Sequence, residues 1–110
     1  TWLNFYYWDR RLLAIREEEK HIYLDIDNEK YFEKNTVLVI SDGKILEQEE
    51  QVYPYKKNVY ASPYTGIIET ELHRAGELYE VHFLLQNVDR TGKEKIWYLT
   101  IAGTNVEIES

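Results

Sequence analysis

The clearest pattern in the chain is the alternation of apolar and polar residues between Glu77 and Glu109. Four residues at every second position share one side of its first half: Tyr79, Val81, Phe83 and Leu85. A polar stretch at 89–93 separates them from a second apolar run at 96–101. A period of two fits a half-buried β-strand and does not fit a helix. The pattern therefore predicts a long antiparallel hairpin, followed by a last short strand at 105–109.

Further strands are predicted in the middle of the chain. Residues 22–26 alternate in the same way, and the strand ends at Asp27-Asn28. The β-branched run at 36–40 predicts a buried, central strand. Asp42-Gly43 favours a two-residue hairpin turn with a returning strand at 44–49. Residues 67–72 predict another strand, with Ala75-Gly76 as its turn.

The first twenty residues show a different spacing. Phe5, Trp8, Leu12 and Ile15 form a stripe at helical intervals, and the charged run 16–20 suits a solvent-facing helix end. The stripe predicts a helix from Trp2 to about Lys20.

Together these elements predict an α+β fold, in which the N-terminal helix packs on a curved antiparallel sheet of about five or six strands. Residues 1–110 are predicted to form a single domain, because the chain has the usual domain size and no linker or repeat. Cystatin-like and nuclear-transport-factor-like folds share this outline. The analogy is one of layout alone, since no residue motif ties the chain to either family.

The charge balance bears on the partners of the protein. The formal net charge is −7, which argues against nucleic-acid binding because phosphate contacts need a basic face. The acidic residues are scattered along the chain, which also argues against a mimic of nucleic acid. Two explanations of the negative charge stay open: it keeps the protein soluble, or it favours docking on a basic partner.

Candidate catalytic and metal-binding chemistry is sparse. The chain has no cysteine, and Asp25-x-Asp27-x-Glu29 resembles the start of a calcium loop but has Lys30 and Thr36 where that loop needs glycine and glutamate. Glu80 and His82, two residues apart on one strand face, form the one acid–base candidate. The sequence therefore predicts no metal, no cofactor and no catalytic residue, and favours a non-enzymatic domain.

The segment 52–64 favours recognition of a protein partner. It combines four tyrosines, two prolines and two lysines, which give rigid amphipathic contact area. The structural alternative is an irregular sheet edge covered by tyrosine rings. The predicted binding residues are Tyr53, Tyr55, Tyr60, Tyr64, Trp97 and Tyr98.

Two other hypotheses stay open. A small-ligand or enzymatic cavity between helix and sheet would be lined by Trp8, Phe83 and Trp97, with His82 and Glu80 as polar groups. Alternatively, the aromatic run from Trp2 to Trp8, beside Arg10-Arg11, suits a membrane interface. The chain would then be the soluble part of a membrane-anchored surface or secretion-assembly protein, with its anchor upstream of Trp2. Compartment (cytoplasmic or extracytoplasmic) and oligomeric state are not specified by the sequence.

Overall fold

The computed structural model describes residues 10–28, 34–46, 61, 63–88, 92 and 94–109. Eight antiparallel strands form one sheet within these residues. In chain order the strands are β1 (Arg10–Glu18), β2 (His21–Asp27), β3 (Thr36–Ser41), β4 (Lys44–Leu46), β5 (Gly66–Ala75), β6 (Leu78–Val88), β7 (Glu94–Gly103) and β8 (Asn105–Glu109). The strands predicted at 22–26, 36–40, 67–72 and along the C-terminal hairpin are confirmed, as is the short strand after Gly103.

The predicted α+β class and its N-terminal helix are wrong. Residues 10–18 of that helix form strand β1, residues 1–9 lie outside the described residues, and no helix occurs in the part of the chain that the structure describes. The reason is a β-bulge between Leu12 and Ala14. A bulge inserts one residue and shifts the alternation by one position, so Leu12 and Ile15 both point into the core. Their spacing of three residues imitates a helical stripe.

The charged end of the predicted helix is a tight turn. Glu18 pairs with His21, and the two residues between them have positive φ angles, 45° at Glu19 and 71° at Lys20. A two-residue β-hairpin with both φ angles positive usually carries Asn-Gly. Glu19-Lys20 gives no such signal, which is why the sequence did not indicate a turn here.

The sheet closes on itself. β3 leads into β4 across Asp42-Gly43, and β7 leads into β8 across Thr104, while β3 pairs with β8 and β4 with β7. The chain bends at Asp42-Gly43 and, opposite, at Thr104. The pairing register is the same before and after these bends, with Ser41 opposite Asn105 and Lys44 opposite Ala102. The strand order β4-β7-β6-β5-β1-β2-β3-β8 therefore forms a closed cylinder rather than a sheet with two distant edges.

The hairpin predicted at Asp42-Gly43 is consequently wrong, because β4 pairs with β7 and not with β3. Glycine is needed there for close packing. A Cβ at Gly43 would lie 2.8 Å from Ile22 Cγ1, and the Gly43 N–H donates to the Lys20 carbonyl at 2.9 Å. The bend thus lies directly against the β1–β2 turn.

The core fills the inside of the cylinder. Its side chains come from alternate positions of the strands, and the largest that are fully buried are Phe83, Leu12, Ile22, Leu24, Ile26, Leu38, Ile40, Leu85, Leu99, Ile101 and Val81. A second bulge, between Ile67 and Glu69 in β5, again shifts the alternation. The side chains inside the cylinder are mostly apolar, and the charged side chains and histidines lie mainly on its outer surface.

The seam between β1 and β5 is short. Arg10 pairs with Ile67 and Arg11 with Gly66, and the Leu12 N–H donates to the Thr65 carbonyl at 3.0 Å. The Arg11 guanidinium donates to the buried Asp27 carboxylate on β2 and, at 3.2 Å, to the Pro63 carbonyl. Arg11 thus links β2 to the segment leading into β5 across the seam.

Candidate functional site: the outward face of β5, β6 and β7

The three longest strands lie side by side and share one solvent-facing surface, which we call the β5–β7 face. Its members alternate with core residues along each strand, so the pleat turns them outward. Its members are Glu69, Glu71, His73 and Ala75 from β5, Leu78, Glu80, His82, Leu84 and Gln86 from β6, and Glu94, Ile96, Tyr98, Thr100 and Ala102 from β7, with Gln86 directly opposite Ile96.

One end of the β5–β7 face is apolar. Ile96 is 55% exposed and Tyr98 is 58% exposed, although Leu99, the residue after Tyr98, is fully buried in the core. Leu84 on β6 pairs directly with Tyr98 and is half-buried. The three side chains occupy neighbouring outward positions on adjacent strands. They form a contiguous apolar patch, unlike the single exposed apolar residues that are ordinary on protein surfaces.

The other end carries two histidine–glutamate pairs. His73 Nε2 lies 2.8 Å from Glu71 Oε2, and His82 Nε2 lies 3.1 Å from Glu80 Oε1. The two imidazole rings meet edge to face, with centroids 4.8 Å apart. The buried Thr100 hydroxyl lies 3.3 Å from His82 Nδ1.

The hairpin register produces this arrangement. Ala75 pairs with Leu78 across a turn in which Gly76 has a φ of 64°, as predicted for Ala75-Gly76. Counting back from that turn, His73 faces Glu80 and Glu71 faces His82. The four side chains thus form a square in which the histidines lie on one diagonal.

Two of these four residues are predicted from the sequence. Glu80 and His82 were recognised as a pair, and the structure brings them together, whereas Glu71 and His73 were missed. The available signal was the same Glu-x-His spacing repeated on both sides of a predicted turn. Leu84 and Ile96 were also missed, because they were assigned only to strands.

Of the six predicted binding residues, Tyr64 and Tyr98 are the two whose side chains the structure describes. Tyr98 lies on the β5–β7 face, and Tyr64 is 80% exposed in the turn before β5, outside the register pairs that define the face. Tyr53, Tyr55 and Tyr60 lie outside the described residues. The backbone of Trp97 belongs to β7, opposite Leu85, and its side chain lies outside the described part of the structure.

Of the residues predicted to line a ligand cavity, the three whose side chains are described do not share one side of the sheet. Phe83 is fully buried inside the cylinder, whereas His82 and Glu80 project from the opposite side of the same strand. Trp8 lies outside the described residues, and the helix that would have bounded the cavity is replaced by β1 over residues 10–18.

The calcium-like carboxylates have other partners. Asp25 accepts two hydrogen bonds of 3.2 Å from Arg16, and these bonds raise the pKa of the Arg16 guanidinium. Asp27 accepts from Arg11. Within the described residues, no group of three or more histidine, aspartate or glutamate side chains is arranged to hold a metal ion. Those residues also include no helix long and apolar enough to cross a membrane.

Comparison with known proteins adds no relative. No protein-family model, curated protein or solved structure matches the chain. The function is therefore argued from the β5–β7 face itself.

Proposed function

We propose that the protein is a non-enzymatic binding domain whose β5–β7 face docks a segment of a protein partner. The observation that carries this proposal is the contiguous patch of Ile96, Tyr98 and Leu84, exposed on strands whose inward residues are fully buried. Tyrosine rings are common anchors at interfaces because they bury a large area with few rotatable bonds. The patch would gain most of its free energy from covering an aliphatic or aromatic side chain of the partner.

The carboxylates of the β5–β7 face favour a positively charged partner. Glu69 lies in the same row as Leu84 and Tyr98, and Glu71 and Glu80 lie in the next two rows along the strands. The chain as a whole carries a net charge of −7. A segment with an apolar residue followed by lysines or arginines would match the patch and the carboxylates together.

A selection experiment tests the proposal. Random twelve-residue peptides displayed on phage are selected on the immobilised protein, and enriched peptides are synthesised and their affinities measured by calorimetry. We expect enrichment in lysine or arginine beside leucine, isoleucine or phenylalanine. Replacing Ile96 and Tyr98 together by threonine should raise the Kd of such peptides at least tenfold, because the variant lacks the apolar anchors.

The matched control is Ile108→Thr. Ile108 is 42% exposed on β8, so its replacement removes a similar aliphatic group outside the β5–β7 face. Threonine suits strands at all three positions. The proposal is refuted if the enriched peptides carry no net positive charge, or if they bind the folded I96T/Y98T protein as tightly as the original.

A further inference from the structure

We infer that the paired imidazoles of His73 and His82 make docking on the β5–β7 face reversible by mild acid. This inference rests on the function proposed above and concerns the regulation of the same face. Histidine is the side chain that ordinarily changes charge between pH 5 and 8. Two of the three histidines of the chain lie in ring contact on this face.

At neutral pH the face presents carboxylates. Glu69, Glu71, Glu80 and Glu94 are its acidic members, and Glu71 and Glu80 lie within hydrogen-bond distance of an imidazole nitrogen, at 2.8 Å and 3.1 Å. With the histidines neutral, all four carboxylates attract the cations of a docked basic segment. These charged groups are exposed to solvent, so each ion pair contributes only a modest binding free energy, and several pairs together contribute more.

Proton uptake changes the electrostatics without a change of shape. Because a carboxylate only accepts, the Nε2–H of each neutral ring already donates to Glu71 or Glu80. The added proton is carried on Nδ1, which in His82 then donates to the Thr100 hydroxyl oxygen, 3.3 Å away. Each hydrogen bond thereby becomes an ion pair, and the docked cations lose much of the attraction of Glu71 and Glu80.

Among the described residues, the charged neighbours of the two imidazoles are few. Around the two imidazoles, the described charged and titratable residues at outward positions are Glu69 and Glu71 on β5, Glu80 on β6, Tyr98 on β7 and Lys44 at the margin on β4. Lys44 and the protonated imidazoles have the same sign. Protonation of both imidazoles therefore offsets two carboxylates while Glu69 and Glu94 keep their charge, so a basic segment is held less tightly but is not repelled.

The test uses a rhodamine-labelled peptide of two leucines followed by three lysines, since rhodamine does not titrate in this range, with binding measured by anisotropy at pH 7.5 and pH 5.5. The lower pH stays above the range in which glutamates ordinarily protonate. We expect the Kd of the unaltered protein to rise about fivefold or more at pH 5.5, and this rise to shrink in high salt because screening weakens charge interactions.

The deciding variant is H73Q/H82Q. A glutamine amide reaches about as far as Nε2 and donates to the same carboxylate, but it carries no charge at either pH. Whatever its Kd at pH 7.5, this variant should bind the peptide with the same Kd at pH 5.5, because no group on the face changes charge between the two pH values. His21→Gln on β2 removes the remaining histidine of the chain and should retain the pH dependence.

The outcomes separate the two proposals. A peptide that binds at pH 7.5 with an equal Kd at pH 5.5, or a pH dependence that persists in H73Q/H82Q, overturns the inference and leaves the docking function standing. Failure of the unaltered protein to bind the lysine peptide more tightly than a peptide of two leucines and three glutamates at pH 7.5 overturns both.

Discussion

At the scale of single residues, Gly103 is the glycine of the chain at which an added Cβ would be most crowded. A Cβ built there would lie 2.4 Å from Ile40 Cγ2 and 2.6 Å from the Ser41 carbonyl oxygen. The second of these atoms belongs to the backbone of β3, so it cannot move aside as a side chain can. We expect Gly103→Ala to lower the free energy of unfolding by roughly 1–3 kcal/mol, as overpacking usually does. Urea denaturation followed by circular dichroism measures the change.

Gly66→Ala is the matched control. The nearest heavy atom to a Cβ at Gly66 is the Gln86 carbonyl oxygen, at the ordinary distance of 3.8 Å. Its replacement should change stability by about 0.5 kcal/mol at most, and an alanine can stabilise by restricting the unfolded chain. Equal stabilities of the two variants would show that β3 and β7 are not as closely packed as described.

At the scale of elements, the β1–β2 hairpin holds a removable strain. Glu19 and Lys20 both have positive φ angles, a conformation that costs roughly 1 kcal/mol or more for residues with a Cβ. We expect the double substitution Glu19→Asn and Lys20→Gly to raise the free energy of unfolding by about 1 kcal/mol, because Asn-Gly favours this turn. The backbone carbonyl of residue 20 still accepts from Gly43. Thermal denaturation should show a higher Tm.

The β5–β6 turn provides a control of opposite sign. Gly76 has a φ of 64°, and a Cβ there would meet no atom within 4 Å, so Gly76→Ala tests backbone conformation alone. It should lower stability by about 1 kcal/mol. A stabilising Gly76→Ala together with a destabilising E19N/K20G would contradict the turn geometry at both hairpins.

The elements also show how far sequence patterns reach. Residues 22–26 and 79–85 are predicted as strands because their apolar positions follow an unbroken period of two, and residues 36–40 because they form an apolar, mostly β-branched run. Strand β1 was predicted as a helix because its bulge separates Leu12 from Ile15 by three positions. A bulge depends on the neighbouring strand, so a local pattern cannot distinguish it from a helical turn.

At the scale of the whole molecule, closure of the sheet was the main feature that sequence reasoning missed. Asp42-Gly43 has the residues of a hairpin turn, yet the chain bends there and Lys44 pairs with Ala102 of β7, 58 residues further along the chain. Partner choice at that distance is decided by packing of the whole core and not by the turn residues. The pleat of β7 and its register with β6 turn Tyr98 and Ile96 outward beside Leu84, and the binding surface is predicted only in part, through Tyr98.

The most direct test of the docking proposal is to map a peptide from the phage selection by its effect on the backbone amide chemical shifts of the isotope-labelled protein. We predict that the largest changes fall on Leu84 and Tyr98 and on their outward neighbours His82 and Thr100. Changes centred on the turn at Tyr64, or on β1, β2 and β3 across the cylinder, would contradict the assignment of the β5–β7 face.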